Sequence, residues 1–342
     1  VELPDLFARY RAELEEYLRS AVPEDSPPLL YGMMRYHLGW QDEQGRPLAE
    51  GAGKALRPAL CLWACQAMGG DWRVALPAAA ALELAHNFSL VHDDIQDGDR
   101  ERRHRPTVWS VWGQPQAINA GDSLLILARL VTLRLEERGV APAKVIEACR
   151  VLDEACLTMI EGQCLDIGFE DEREVSVEAY LDMIARKTGA IMGASLHLGA
   201  LVTVDDEQQV KRLARCGHQL GLAFQIRDDI LGVWGTSDVT GKPVAADIRR
   251  RKKSLPVVYA MSVARAEERE QLLQIYGQGT PGDDEVGIVL RLLDSYGAYG
   301  YCQQMAQERV EQALAELTRV AIEPTSRRDL EAVARFLLER EF

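Results

Sequence analysis

Val74-Ala-Leu-Pro-Ala-Ala-Ala-Ala-Leu-Glu-Leu-Ala-His-Asn-Phe-Ser-Leu-Val91 runs without a break into His92-Asp-Asp-Ile-Gln-Asp97. The stretch Val74–Val91 is apolar almost all the way round a helix, with Glu83, His86, Asn87 and Ser89 as exceptions. A helix with no polar face has to lie inside a bundle, covered by neighbours. Thr188–Val204 reads the same way. Working outward, apolar residues recur three and four apart over stretches separated by Gly- and Pro-rich breaks, at 23–28, 42–53, 69–70, 98–106, 113–115, 139–142, 236–243 and 277–282. No run shows the alternation of a strand. The expectation is an all-α, single-domain bundle over 1–342, of about ten or more helices.

Composition narrows the partners. The 342 residues carry 39 Lys+Arg against 53 Asp+Glu, a formal charge of −14, with 47% hydrophobic residues. An acidic chain lacks the basic surface that a sequence-independent nucleic-acid grip requires, so no nucleic-acid partner is expected. No uninterrupted apolar run reaches the roughly 18–20 residues of a membrane span. The nearest candidate, Gly189–Val204, is shorter and contains His197. Seven cysteines, an odd number spread along a long chain, read as free thiols of a cytoplasmic protein. Cys61 and Cys65 sit one turn apart, but no second pair or histidine completes a zinc set.

The chemistry concentrates where apolar helices meet acids. Asp93 and Asp97 lie one turn apart, so their carboxylates share a face at about 5–6 Å. Like charges at that spacing repel, and a helix C-terminus adds partial negative charge. Such a pair invites a hard divalent cation, and Mg²⁺ binds through one or two carboxylates plus substrate phosphates. The competing reading is a solvated acidic helix end. Phe224-Gln-Ile-Arg-Asp-Asp-Ile-Leu231 repeats the pattern, delivering Asp228 and Asp229 at the end of a second apolar helix, before Gly232 and Gly235. Two such helices facing each other make an acidic cleft for several Mg²⁺ ions. Basic pairs sit where loops should be: Lys54 and Arg57, Arg102 and Arg103, Lys242, and Lys252–Lys253, with Lys187–Thr188 mid-chain. Beside acid-plus-metal sites, these are what a diphosphate ligand requires. Gly241-Lys-Pro is not a nucleotide P-loop, because the upstream glycine is missing and Pro243 replaces the hydroxyl residue.

Together these blocks closely resemble the trans-isoprenyl diphosphate synthases. In family order they are Gly53-Lys-Ala-Leu-Arg-Pro58, the His86–Asp97 block, Arg102-Arg-His-Arg-Pro-Thr107, Gly121-Asp-Ser123, Lys187-Thr-Gly189, Gln225-Ile-Arg-Asp-Asp229, Gly241-Lys-Pro243 and Asp247 to Pro256. The resemblance implies the helical isoprenoid-synthase fold around a central cavity, a homodimer, and three Mg²⁺ per site. Asp93, Asp97 and Asp228 would bind metal bridging an allylic diphosphate, with Asp94 and Asp229 in support. Arg102, Lys187, Lys242 and Lys252 would clamp that diphosphate. Lys54, Arg57, His86 and Arg103 would hold isopentenyl diphosphate, and Thr188 and Gln225 would face the developing allylic cation. Three departures stand out: Ala55 where many members carry a cation, His104 in place of glycine, and Gly232 in place of a third aspartate.

Product length should follow from how far the chain can run down the first helix from Asp93. Ser89 and Ala85 leave room on that face, and Phe88 is the first bulky residue near the path. Among the resembled enzymes this looks like the geranylgeranyl type, with farnesyl diphosphate as the next product. A class I terpene cyclase and a non-catalytic subunit of a heteromeric synthase are the competing functions. The intact aspartate pairs and the cations at 54, 57 and 103 count against both.

Overall fold

A computed structural model describes residues 4–24, 27–48, 55–235, 245–277 and 279–340. The first half of the chain forms α1 (Asp5–Arg9), α2 (Arg11–Ala21), α3 (Pro28–His37), α4 (Leu56–Ala67), α5 (Leu76–Gln96), α6 (Val108–Trp112), α7 (Gln114–Leu133) and α8 (Pro142–Asp171). The second half forms α9 (Val177–Ile184), α10 (Ala190–Leu201), α11 (Glu207–Trp234), α12 (Ala246–Arg249), α13 (Leu255–Val263), α14 (Ala266–Gly277), α15 (Asp283–Ser295), α16 (Ala298–Leu317) and α17 (Pro324–Glu339). The fold is all-α, as the periodicity requires. One small correction concerns strands: Glu101–Arg102 pairs antiparallel with Arg105–Pro106 in a short hairpin that alternation could not reveal.

The helices start where local chemistry allows. Pro77, Pro115 and Pro142 occupy first turns, where a missing N–H costs nothing. Asp206 accepts from the N–H groups of Gln208 and Gln209 at 3.0 and 3.2 Å and so caps α11. A run of four alanines, Ala78–Ala81, favours helix and lets neighbours approach α5 closely.

The main core joins α4, α5, α7, α8, α10 and α11, and α1, α2, α3, α16 and α17 add buried residues to it. Close approach in this core depends on glycine. A β-carbon at Gly199 of α10 would fall on the carbonyl of Cys61 in α4, and one at Gly217 of α11 on the carbonyl of Met192 in α10. Two satellite clusters extend the core. One joins α13, α14 and α15 below the end of α11, and the other lies between α9, α11, α13 and α16.

Two sequence expectations change. Trp72–Gln96, rather than Gly189–Val204, is the described segment long and apolar enough to cross a membrane; 78% of its most apolar 18 residues are buried in the bundle, which accounts for its apolar character. Asp228 and Asp229 do not end their helix, because α11 continues to Trp234. They lie in its penultimate turns, whereas Asp97 does cap α5.

Candidate active site

A cavity of about 440 Å³ opens between α4, α5, α7, α8 and α11. Its wall brings together Arg57, His86, Phe88, Ser89, Asp93, Lys187, Thr188, Gln225 and Asp228 from the sequence reading. A second cavity of about 200 Å³ lies beside it, lined by Asp94, Arg102 and Arg103 among others. Lys54 and Lys242 lie outside the described residues.

On α5, burial pushes Asp93 above the usual carboxylate range; Asp97 and Asp166 add repulsion, and Lys187 and Arg102 offset part of it. Asp97 is raised by partial burial and by its acidic neighbours. These are the electrostatics of carboxylates gathered without enough positive charge. Asp94 plays a different part. It is 1% exposed, accepts from Arg102 Nε at 2.7 Å, and has its other oxygen buried without a partner. Burial pushes its carboxyl up to about 6 despite Arg102. Asp94 therefore holds Arg102 rather than facing the main cavity.

Lys187 and Thr188 sit in a π-helical turn, Ala185–Gly189, between α9 and α10. Such bulges re-aim side chains, and this one is seated by glycine: a β-carbon at Gly162 of α8 would collide with the Lys187 backbone. Thr188 Oγ1 donates to Gln225 Oε1 at 2.9 Å, and Gln225 Nε2 donates to Asp229 Oδ1 at 3.2 Å. The buried Asp229 also accepts from the Tyr180 hydroxyl and from the Leu255 N–H. Burial still lifts Asp229 to about 6, against the pull of Lys252. This chain fixes the Gln225 amide toward the cavity and makes Asp229 a support rather than a free ligand. Burial opposes the charge of Lys252, but Asp247, Asp229, Asp166 and Asp228 outweigh it and raise its pKa.

Asp228 faces the main cavity from α11, and its Oδ1 accepts from Arg340, just past the end of α17. Arg340 also donates to the Phe224 carbonyl and stacks on the Phe224 ring 4.0 Å from its centroid. Arg250, in the segment following α12, pairs with Asp99 at 2.6 Å and ties it to the loop after α5.

On the opposite side stand Arg57 and His86. Burial pulls the Arg57 pKa down, offset by Glu83 and Asp228, and its Nε is buried without a partner. Burial, then Arg57 and Arg103, push His86 well below its usual range.

Among the described residues, no three acids, histidines or cysteines converge closely enough to cage a metal unaided. The donor set still suits Mg²⁺, which takes one or two carboxylates and completes its shell with phosphate and water. Carboxylates lifted first by burial and then by acidic neighbours are ones that a divalent cation would relieve.

A sequence model described as polyprenyl synthetase matches residues 40–293. The chain belongs to the polyprenyl synthetase family. It is 41% identical to a geranylgeranyl diphosphate synthase of Mycobacterium tuberculosis over 337 residues, 98% of this chain and 93% of that protein. It is 39% identical to a (2E,6E)-farnesyl diphosphate synthase of the same organism, covering 92% of this chain and 87% of that one. A crystal structure of a polyprenyl synthetase from Streptomyces coelicolor superposes with a TM-score of 0.90 at 38% identity, over 97% of this chain and 98% of that one. This is a trans-isoprenyl diphosphate synthase of the short-chain kind.

The synthase also shows what sequence reasoning missed. Asp166 of α8 accepts from Lys187 Nζ at 2.6 Å; burial disfavours its charge, but Lys187 and Lys252 outweigh that and lower its pKa. A lone acid on a mixed helix gave no signal. Glu83 and Arg340 were likewise unmarked, each meaningful only through a partner distant in sequence. The departure at Gly232 has a steric reason: a β-carbon there would fall on the Asp247 carboxylate, which fills the space. Arg103 and His104 form the hairpin turn with φ of 52° and 60°. Left-handed non-glycine residues cost about 1–3 kcal/mol each, so His104 makes this turn more strained than glycine would.

Proposed function

We propose that this synthase condenses isopentenyl diphosphate with an allylic diphosphate, head to tail and trans, in a Mg²⁺-dependent reaction that yields geranylgeranyl diphosphate. The observation that carries the reading is the convergence on one cavity of Asp93 from α5, Asp228 from α11, and the separate basic set Arg57 and His86. Asp93, Asp97 and Asp228 would hold the Mg²⁺, three ions per site by family resemblance. The metal's contribution is to offset negative charge on the departing diphosphate.

This chain's own residues divide the rest. Lys187, paired with Asp166, and Lys252, held charged among acids, bind the allylic diphosphate, joined by Arg102 and Lys242. Arg57, His86 and Arg103, with Lys54, hold the isopentenyl diphosphate so that its double bond meets the allylic cation in line. Thr188 and Gln225 present oxygens near the developing cation. The condensation ends with loss of a proton to the released diphosphate, since none of these side chains is an evident general base. Leu125, Met159, Ile160 and Phe88 line the cavity and exclude the water that would quench the cation.

Phe88, 5% exposed and edge-on to the His92 ring at 5.3 Å, would end the chain's path and supports the C20 product over C15. A homodimer fits the exposed apolar face of α7 and α8, where Ile126, Leu130, Ile146 and Leu157 are each more than half exposed. The free cysteines fit a reducing cytoplasm. A single domain over 1–342 accords with helices from both ends of the chain packing on α4.

The test is to incubate the purified chain with Mg²⁺, isopentenyl diphosphate and each allylic diphosphate, then identify the products. A C20 diphosphate is expected. Hydrocarbon formed from allylic diphosphate alone would point to a terpene cyclase. No turnover by the isolated chain would point to a non-catalytic subunit.

A further inference from the structure

His37 ends α3 and was not part of the sequence reading. Its imidazole lines the smaller cavity with Asp94, Arg102 and Arg103, and its Nε2 is buried with no partner. Asn87 and the guanidinium groups of Arg102, Arg103 and Arg105 face it. His86 lies close enough for the two imidazoles to disfavour each other's charge. The backbone on either side of His37 is held in place. Arg105 donates to the carbonyls of Tyr36 and Gln41 at 3.2 and 2.9 Å, and the Tyr36 hydroxyl donates to the Pro106 carbonyl at 2.7 Å. The end of α3 is therefore stapled to the hairpin that carries Arg103.

This corner of the molecule is rich in donors and poor in acceptors. Asp94 gives one oxygen to Arg102 and keeps its Oδ2 buried without a partner, and Glu83 lies among Arg57 and Asn87, against four arginines at 57, 102, 103 and 105. Arg57 Nε and His37 Nε2 are both buried and unused. Buried polar groups are normally satisfied, so two idle ones beside Arg103 and His86 indicate an anion that is to be supplied. Ala55, at the start of α4, brings no charge to this site.

The geometry points to His37 as a further ligand of the isopentenyl diphosphate, donating from Nε2 to its diphosphate alongside Arg57, His86 and Arg103. This rests on the proposed function, in that the basic set must be the one that takes the non-allylic substrate. The imidazole binds as a neutral donor, and no covalent step involves it. A neutral donor suits this corner, since a further full charge would add repulsion among three arginines.

The experiment is steady-state kinetics of the full chain with isopentenyl diphosphate varied at saturating allylic diphosphate. His37→Phe, which keeps the ring shape without the donor, is expected to raise KM for isopentenyl diphosphate about tenfold to a hundredfold, the loss of one hydrogen bond to a charged group. KM for the allylic substrate should stay within about twofold on the same reasoning. His37→Gln, whose amide nitrogen reaches the position of Nε2, should recover most of the loss. An unchanged KM, or an equal rise for both substrates, overturns the assignment. If His37→Phe does not fold, wild-type chain labelled with ¹⁵N-histidine is titrated with isopentenyl diphosphate alone, with His37 assigned through His37→Gln. Its resonance should move to saturation, and one that stays fixed overturns the assignment. Wild-type enzyme that consumes no isopentenyl diphosphate contradicts the proposed function instead. In that case the same titration with inorganic pyrophosphate still decides whether His37 meets a diphosphate.

Discussion

Lys187 Nζ lies 2.6 Å from Asp166 Oδ2, joining the π-helical turn after α9 to the C-terminal third of α8. Both groups are only partly exposed, so the pair is better shielded than a surface ion pair. It fixes a long, flexible lysine at the edge of the cavity before any substrate arrives. Asp166→Asn keeps the shape and removes the charge. It should lower kcat about tenfold to a hundredfold and raise KM for the allylic diphosphate more than for isopentenyl diphosphate. Steady-state kinetics on a variant with an unchanged melting temperature would check this.

The contact between Gly232 and Asp247 predicts a steric and electrostatic conflict. Gly232→Asp would place a second carboxylate where the first already sits. Overpacking of this kind costs about 1–3 kcal/mol, and like charge adds to it. Pairing it with Asp247→Ala should recover stability beyond the sum of the single effects, because the two changes share one space. Chemical denaturation of the two single variants and the double variant measures that coupling.

His37 makes a prediction about acid stability. Burial, reinforced by Arg102, Arg103 and Arg105, lowers its pKa to about 3 from the ordinary 6.5. The unfolded chain therefore takes a proton at this residue below about pH 6.5 while the folded chain does not, so stability is lost as pH falls through that window. Relative to His37→Gln, the wild type should lose about 2 kcal/mol between pH 7.5 and 5. Parallel unfolding curves at the two pH values give the difference.

Phe88→Ala should lengthen the product by at least one five-carbon unit, since the ring stands in the cavity wall beside Ser89. Product analysis by mass spectrometry checks it. An unchanged product profile would remove Phe88 from control of chain length.

The fold was legible because α5 and α10 have no polar face and must be covered. The two aspartate pairs were legible because each follows an apolar stretch of sequence, although α11 runs on past Asp228 and Asp229 to Trp234. Asp166 was not, since a single acid on a mixed helix looks the same whether it meets solvent or a lysine from another element, and Glu83 showed as an acid on a covered helix without showing that Arg57 faces it. The π turn at Ala185–Gly189 carries no composition of its own; it arises from packing against Gly162. Arg340 reaches Asp228 only because α17 returns the chain's end to α11. Gly232 read as a weakened acidic motif until Asp247 was found filling its space.

A crystal structure of the full chain with Mn²⁺ and inorganic pyrophosphate, located by anomalous scattering, tests the central claim most directly. The expected result is metal bound by Asp93 and Asp97 from one helix and by Asp228 from the other, all on one pyrophosphate, with Lys187 and Lys252 on its remaining oxygens. Carboxylates left apart with no metal between the two helices, or pyrophosphate seated elsewhere, would contradict the account.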